Sequence, residues 1–500
     1  MNSAQNKSIF ASRLLTGLIL AVGVAGVIAL GYMTSDVHSL VAVIGLLFLL
    51  VTAYCYLHFP HRFIMAFGVF ILCQKLLKLN AGRINPLYGT MVGYVDEVVV
   101  LWLFILFLFR QSLSRSTFAR TGLGIPLLGF ALAGILSSLI GHIPAWIVGV
   151  QLLLYLKGFI FFYIVLHLPN NPRILRTYIR FFAGVGIIIL TLGIIDLVNP
   201  YWFRAVIGNE INVGLRFGLP STKSIFTHPG DFGWFMAFLT LYGFSYYMIF
   251  NRNIYLVFGL IFSLGSFLSM RRRNLAGIFT GLIVGVWKQP KVEKVRAGVI
   301  LGAIVALFIV LAWSTIEMLY TDLMEGYVAN RHPREEARNV LYIGSFQIAR
   351  DYFPLGVGLG RYGSWMSAVS YSPIYREYRM NEVYGLTPDN PSFATDTFWP
   401  AVLGETGVLG LIFYIWICLR FLLFLNREIK ECEKPYVKAF LLGTFLVFIE
   451  SLIESPASAV YTGGPMVYFI FGILGLSYAT NRTQPSPPAR ATYLTADYAD

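Results

Sequence analysis

Apolar runs of about 18 residues or more recur along this chain, and short polar stretches between them carry most of the charge. Each run is long enough to cross the roughly 30 Å hydrocarbon core of a bilayer as a helix. A helix satisfies its own backbone hydrogen bonds, which lipid cannot do. The alternating strand-length segments of a membrane β-barrel are absent from the sequence. The predicted spans are 14–32, 40–57, 63–79, 90–109, 122–141, 145–167, 181–198, 233–250, 254–270, 274–287, 298–314, 398–425, 437–453 and 463–480. The pattern therefore predicts an all-α polytopic membrane protein of about 14 (12–14) transmembrane helices.

Lys7 and Arg13 precede the apolar run from Leu14 to Tyr32. That run is longer than the core of a usual signal peptide, and no clear small-x-small cleavage site follows it, so it is read as a retained first helix. With the N-terminus in the cytoplasm, the cytoplasmic loops hold Arg110, Arg115 and Arg120; Arg173, Arg176 and Arg180; Lys288, Lys291, Lys294 and Arg296; and Arg427, Lys430, Lys434 and Lys438. The alternate loops at Ser35–Ser39, Gly141–Pro144 and Ser455–Gly464 hold no Lys or Arg. This asymmetry places both termini in the cytoplasm and residues 315–397 outside. The expected organisation is transmembrane helices over 1–314, a long external loop over 315–397, further transmembrane helices over 398–480 and a disordered cytoplasmic tail over 481–500.

Composition adds little to this pattern and removes some alternatives. Charged residues make up 13% of the chain, about half the share in a soluble domain. The formal net charge of +13 is accounted for by cations retained on the cytoplasmic side, with no nucleic-acid partner required. The four cysteines, Cys55, Cys73, Cys418 and Cys432, show no metal-ligand spacing and read as small apolar residues or free thiols.

The exceptions to the charge rule carry the functional signal. The predicted external side holds Arg204, Arg216 and Lys223 in one loop and Arg271, Arg272 and Arg273 at a tight helix–helix turn. Such a triplet is ordinarily a snorkelling anchor on the cytoplasmic side, so its external position means either that one helix is miscounted or that these cations have a task. In the long loop, Arg334–Asp351 has partial helical spacing, with Ala337, Leu341, Gly344 and Ile348 on one stripe and Ile343 and Phe346 off it. This predicts an amphipathic helix over the membrane face, the stripe itself being explained by ordinary packing. The glycines of 356–360 lack the setting of a phosphate loop. Tyr362, Trp365, Tyr371, Tyr375, Tyr378 and Tyr384 suit sugar stacking, but the interfacial role of such residues explains them more simply. Asp396 stands where the next helix begins, as its N-terminal cap or as a functional carboxylate. Glu450 and Glu454 lie one turn apart near the external end of a late span, where carboxylates are costly and so point either to function or to simple pairing with the arginines, and Asp96 and Glu97 read as interfacial.

Four stretches occur in order: Arg216-Phe-Gly-Leu-Pro220 … Phe226-Thr-His228-Pro-Gly-Asp-Phe-Gly233; Ser269-Met-Arg-Arg-Arg-Asn-Leu-Ala-Gly277; Arg338 … Pro354-Leu-Gly-Val-Gly-Leu-Gly360; and Asp396-Thr-Phe-Trp-Pro-Ala-Val-Leu-Gly-Glu405-Thr-Gly407-Val-Leu-Gly410-Leu. In this order the chain resembles the bacterial O-antigen ligase and O-antigen polymerase superfamily, which includes exopolysaccharide repeat-unit polymerases. The resemblance covers roughly residues 90–480 and is carried by 216–410. It implies a multi-pass inner-membrane glycosyltransferase whose donor and acceptor are lipid-linked oligosaccharides, the donor on undecaprenyl diphosphate. Other polysaccharide export components would be further partners. It implies no cofactor and no metal. Arginines would hold the diphosphate, matched here by Arg216 and by one or more of Arg271, Arg272 and Arg273, with Lys223 secondary. Ligase members usually show His-Asn where this chain has Asp396-Thr397. The base that accepts the acceptor's hydroxyl proton is then Asp396, with His228 as runner-up.

The chemistry suits these residue types. Guanidinium binds phosphate oxygens bidentately and keeps its charge when partly desolvated, and two arginines can stabilise charge building on a leaving diphosphate. The leading expectation is a polymerase joining repeat units at the periplasmic face. The alternatives are a ligase moving finished glycan to an acceptor, a lipid-oligosaccharide flippase, and a purely structural membrane component. Flippases tend to show two similar halves and short loops, which this sequence lacks.

Overall fold

The computed structural model describes residues 37–114, 118–169, 172–216, 219–288 and 333–482. The chain forms α1 (Val37–His58), α2 (Pro60–Ile84), α3 (Pro86–Ser114), α4 (Gly124–Ile140), α5 (Ala145–Leu166), α6 (Pro172–Val198) and the short α7 (Pro200–Val206). A two-residue hairpin follows, β1 (Leu215–Arg216) paired antiparallel with β2 (Leu219–Pro220). Then come α8 (Pro229–Phe250), α9 (Asn253–Leu268), α10 (Arg272–Trp287), α11 (Pro333–Asp351), the short α12 (Trp365–Val369) and α13 (Ile374–Glu377), α14 (Trp399–Glu431), α15 (Pro435–Glu454) and α16 (Met466–Arg482). Helices cover every predicted span except 14–32 and 298–314, which lie outside the described residues along with the C-terminal tail.

Among the described residues, seven helices are long and apolar enough to cross a membrane: α2, α3, α5, α6, α8, α14 and α15. Shorter apolar helices include α4, α9 and α16. The architecture is that of an all-α protein built to sit in a membrane. Burial is uneven in a useful way. In α8, 83% of the apolar window is buried inside the protein, so this helix is a shielded core element. It packs on α9, α10 and α15, and its first turn marks one end of the bundle.

Two polar braces hold this arrangement. Arg204 of α7 forms a two-pronged ion pair with Asp196 of α6, at 2.7 and 3.2 Å. Arg204 also donates to the carbonyls of Asn212 and Ser221. Asp196 in turn accepts from the backbone of Lys223 and Ser224. These bonds of Arg204 all go to Asp196 or to the loop between α6 and α8, so it is a brace for that loop and its charge needs no ligand. The second brace joins α2, α3, α5 and α16. Lys157 reaches Glu97 at 2.6 Å and Asp96 at 3.5 Å, while Gln74 and Tyr468 donate to Asp96. Asp96 is therefore buried between helices, with Lys157, Gln74 and Tyr468 around it.

The helix predicted over Arg334–Asp351 is present as α11. Ala337, Leu341 and Ile348 are fully buried, and Ile343 and Phe346 are exposed. The stripe packs on the rest of the loop and on α14, so ordinary packing explains it. The loop carries its own small core, which includes Tyr362, Tyr375, Leu386 and Ala394.

The loop is locked to α14 at a break in that helix. Gly407 sits inside α14 at φ 69°, ψ −168°, a conformation that side chains resist. The interruption frees backbone groups that a continuous helix would use. Val357 and Gly358 donate to the carbonyls of Gly404 and Glu405, and Leu409 donates to Pro354. The Glu405 carboxylate, fully buried, accepts from the Tyr362 amide, the Ser364 hydroxyl and the Tyr155 hydroxyl. The glycine-rich 354–360 stretch and the Glu-Thr-Gly stretch of α14 are thus two halves of one joint.

Candidate functional site

The end of the bundle where α8, α10 and α14 begin and α15 ends gathers most of the sequence-predicted residues. It is built around the short turn Ser455–Ala457 that follows α15. Arg273, in the first turn of α10, donates from Nη1 to the Ala457 carbonyl at 2.7 Å. Arg338, from α11 of the long loop, donates from Nη2 to the same carbonyl at 3.3 Å. Two bonds to one oxygen place these guanidinium nitrogens within about 6 Å of each other. Arg338 Nη2 also lies 3.3 Å from Asp396 Oδ2. Arg273 Nε lies 2.8 Å from Glu454 Oε1. Two arginines and two carboxylates from four separate elements therefore meet at one turn.

The arginine triplet divides by its position on the helix. Successive helical residues point about 100° apart, so three neighbours cannot share a target. Arg271 precedes α10 in extended conformation and is half-buried, Arg272 is exposed, and Arg273 turns toward the Ser455–Ala457 segment. A helix N-terminus carries partial positive charge, so arginines there are electrostatically unfavourable without an anion. Among the described residues Glu454 supplies one such charge to Arg273.

The α9–α10 turn is held against the start of α8. Asn274 donates from Nδ2 to the Gly230 carbonyl at 3.1 Å, and Ser221 donates to the Ser269 carbonyl. A Cβ placed on Gly230 would lie 2.5 Å from Arg273 Nη2 and 2.8 Å from His228 Nδ1. Glycine at this position is what lets Arg273 approach the start of α8.

His228 caps α8, its Nδ1 accepting from the Gly230 amide at 3.0 Å. It stands beside Arg273 across Gly230, but its Nδ1 is committed to the backbone. Asp396 does not cap α14. The residue before α14 is Phe398, which makes no side-chain cap, and the Phe398 amide donates instead to the Ser455 carbonyl. Asp396 is nearly buried and turns to Arg338, so the capping account of this residue is replaced by an ion pair. Next to it, the buried Thr397 hydroxyl has no hydrogen-bond partner among the described residues.

Lys223 is buried and reaches the Glu210 carbonyl at 3.4 Å. Burial first, and then the guanidinium of Arg204, hold its ammonium below the ordinary lysine range, with Arg271 adding to the effect. Arg216 lies in β1 opposite Leu219, and its side chain lies outside the described residues. The site thus brings together Arg273, Asp396 and His228. It leaves Arg272 turned outward and Lys223 tied to its own loop.

The aromatics of the long loop divide differently from either sequence reading. Tyr362 and Tyr375 are fully buried in the loop core, their hydroxyls bonded to the Leu341 carbonyl and the Gly363 amide respectively. Tyr371 donates to the Leu386 carbonyl and Tyr378 to Asp351. Tyr384 and Trp365 are exposed, Trp365 packing edge-on against Tyr94. Tyr362 and Tyr375 therefore build the loop core, while Tyr371 and Tyr378 are half-buried and Trp365 and Tyr384 exposed.

Two residues at the centre of the site were not selected from the sequence as diphosphate ligands or base. Arg338 stood in the third motif without a role, and Glu454 was read as a costly membrane carboxylate that hints at function or pairs with the arginines, the pairing being what Arg273 makes. No family model and no curated protein matches the chain.

Proposed function

We propose that this protein is a membrane glycosyltransferase that polymerises oligosaccharide repeat units carried on a lipid diphosphate, acting at the periplasmic face of a bacterial inner membrane. The reading is supported above all by the meeting of Arg273 and Arg338 at the Ala457 carbonyl beside Asp396. Paired guanidiniums at the bundle's end suit a diphosphate lying at headgroup level. The charge pattern of the loops and the ordered motifs support the same orientation and class.

In this reading the donor's diphosphate oxygens take the place of the Ala457 carbonyl and of Asp396 as partners of the two arginines. That exchange frees the Asp396 carboxylate. The acceptor's hydroxyl oxygen then attacks the anomeric carbon of the donor while Asp396 accepts its proton. The bond from the anomeric carbon to the phosphate oxygen breaks, and the lipid diphosphate leaves with the electron pair. Arg273 and Arg338 stabilise the charge that grows on it. Arg216 is assigned to the same diphosphate on the strength of its motif. His228 serves as a neutral neighbour that caps α8 and lines the arginine.

Product analysis of a strain lacking the protein tests this reading. Accumulation of single lipid-linked repeat units is the expected result. Full-length polymer left unattached would overturn polymerisation in favour of ligation.

A further inference from the structure

At the opposite end of the bundle lies a cavity of about 880 Å³. It is separated from Asp396 by most of the length of α14. Arg120, before α4, and Arg420 and Arg427, late in α14, line it together with Leu423, Phe424 and Tyr478. The position follows from the antiparallel path of the helices, so it does not depend on the chemistry proposed for the other end. We infer that this cavity binds the phosphate headgroup of an anionic phospholipid from the leaflet at that end, with the acyl chains running along α14.

The charge balance carries the argument. Among the described residues neither Arg120 nor Arg420 has a carboxylate partner, while Arg427 pairs with Glu428 at 2.9 Å. A side chain at Gly122 would meet the Arg420 guanidinium at 2.8 Å. The Arg420 guanidinium thus lies close over the Gly122 backbone at the cavity's edge, in space a side chain there would need. Among the described residues Glu428 and Glu431 act on Arg427, so the cations of Arg120 and Arg420 are left over, and a phosphodiester supplies the missing negative charge. Basic pockets between membrane helices recognise anionic headgroups in this way.

The apolar part fits the rest of a lipid. Phe424 and Tyr478 stack face to face, their ring centres 3.5 Å apart and their planes at 15°. They form a rigid wall. Leu423 is 64% exposed and Phe118 54% exposed, so an apolar strip leads outward from the arginines. A soluble phosphate would use the cations and leave this strip unused; a phospholipid uses both.

Native mass spectrometry of the purified full-length protein, released from bilayers of equal phosphatidylglycerol and phosphatidylcholine, tests the proposal. The wild type is expected to retain phosphatidylglycerol over phosphatidylcholine. Arg120→Gln and Arg420→Gln should each reduce that preference, by about fivefold per arginine removed. Both side chains are exposed, and a matched size-exclusion profile verifies folding; if the pair of substitutions perturbs it, Arg120→Gln alone decides. Arg252→Gln, an exposed cation at the same end between α8 and α9, should change nothing. Equal retention of the two lipids, or an equal loss with Arg252→Gln, overturns the site. Displacement of the lipid by millimolar inorganic phosphate alone overturns the lipid as its ligand. The readout uses no glycan, so it stands or falls separately from the polymerase reading.

Discussion

Arg338 and Asp396, 58 residues apart in the chain, meet at 3.3 Å beside the turn that ends α15. The long loop supplies one and the approach to α14 the other, so the pair closes the loop over the bundle's end. Asp396→Asn keeps the shape and removes the carboxylate proposed as the base. General-base help is worth about 10²–10⁴ in rate, and polymer synthesis should fall by that order with the protein level in the membrane unchanged. Quantifying polymer and protein in the same membranes checks this, and near-normal polymer removes Asp396 as the base.

Glu454 and Arg273 form the second pair of the site. Arg273 is partly exposed, so Glu454→Gln should cost roughly 3 kcal/mol at most. Its clearer effect is expected on the donor. A guanidinium no longer held at 2.8 Å by its carboxylate is less well placed to bind a diphosphate. The KM for lipid-linked donor should rise more than kcat falls. A fall in kcat alone would assign Glu454 to the chemical step instead.

Arg204 offers the contrast of a cation used for folding. Its ion pair with Asp196 is fully buried, and truncating one partner of such a pair costs about 3–5 kcal/mol. Arg204→Ala is expected to lower the amount of folded protein recovered in mild detergent. Normal recovery with lost activity would place Arg204 in the site after all.

The joint at Gly407 tests whether the long loop must be fixed to α14. An L residue there faces a backbone strain of about 1–3 kcal/mol, and a Cβ would also collide with the Leu355 backbone. Gly407→Ala should lower the Tm and increase protease cleavage within 354–360. An unchanged Tm would mean that the helix heals across the break and the loop is held elsewhere.

The helices were legible because lipid-length apolar runs leave one backbone solution, and because turns such as 141–144 and 251–252 are short. The stripe of α11 was legible for the same reason of period: Ala337, Leu341 and Ile348 fall together at helical spacing. The site was legible only by residue type. Hydropathy and motif order pointed to Arg271–Arg273 as a group, but the choice of Arg273 depends on which face of α10 meets α15, a tertiary fact. The partner of Asp396 lies in another element, so local sequence favoured a cap where a distant arginine takes the carboxylate. Tyr362 and Tyr375 misled because irregular loops have no period by which a core residue can be told from a surface one.

The central claim is that paired arginines and Asp396 join lipid-diphosphate-linked sugars, and reconstitution tests it most directly. Purified protein in liposomes is incubated with lipid-linked repeat units, and the products are resolved by chain length. The account predicts ladders of polymer from the wild type and none from Arg273→Lys, Arg338→Lys or Arg216→Lys, each inserted at normal level. Unextended repeat units with the wild-type protein, or ladders of wild-type length from Arg273→Lys and Arg338→Lys together, would contradict it.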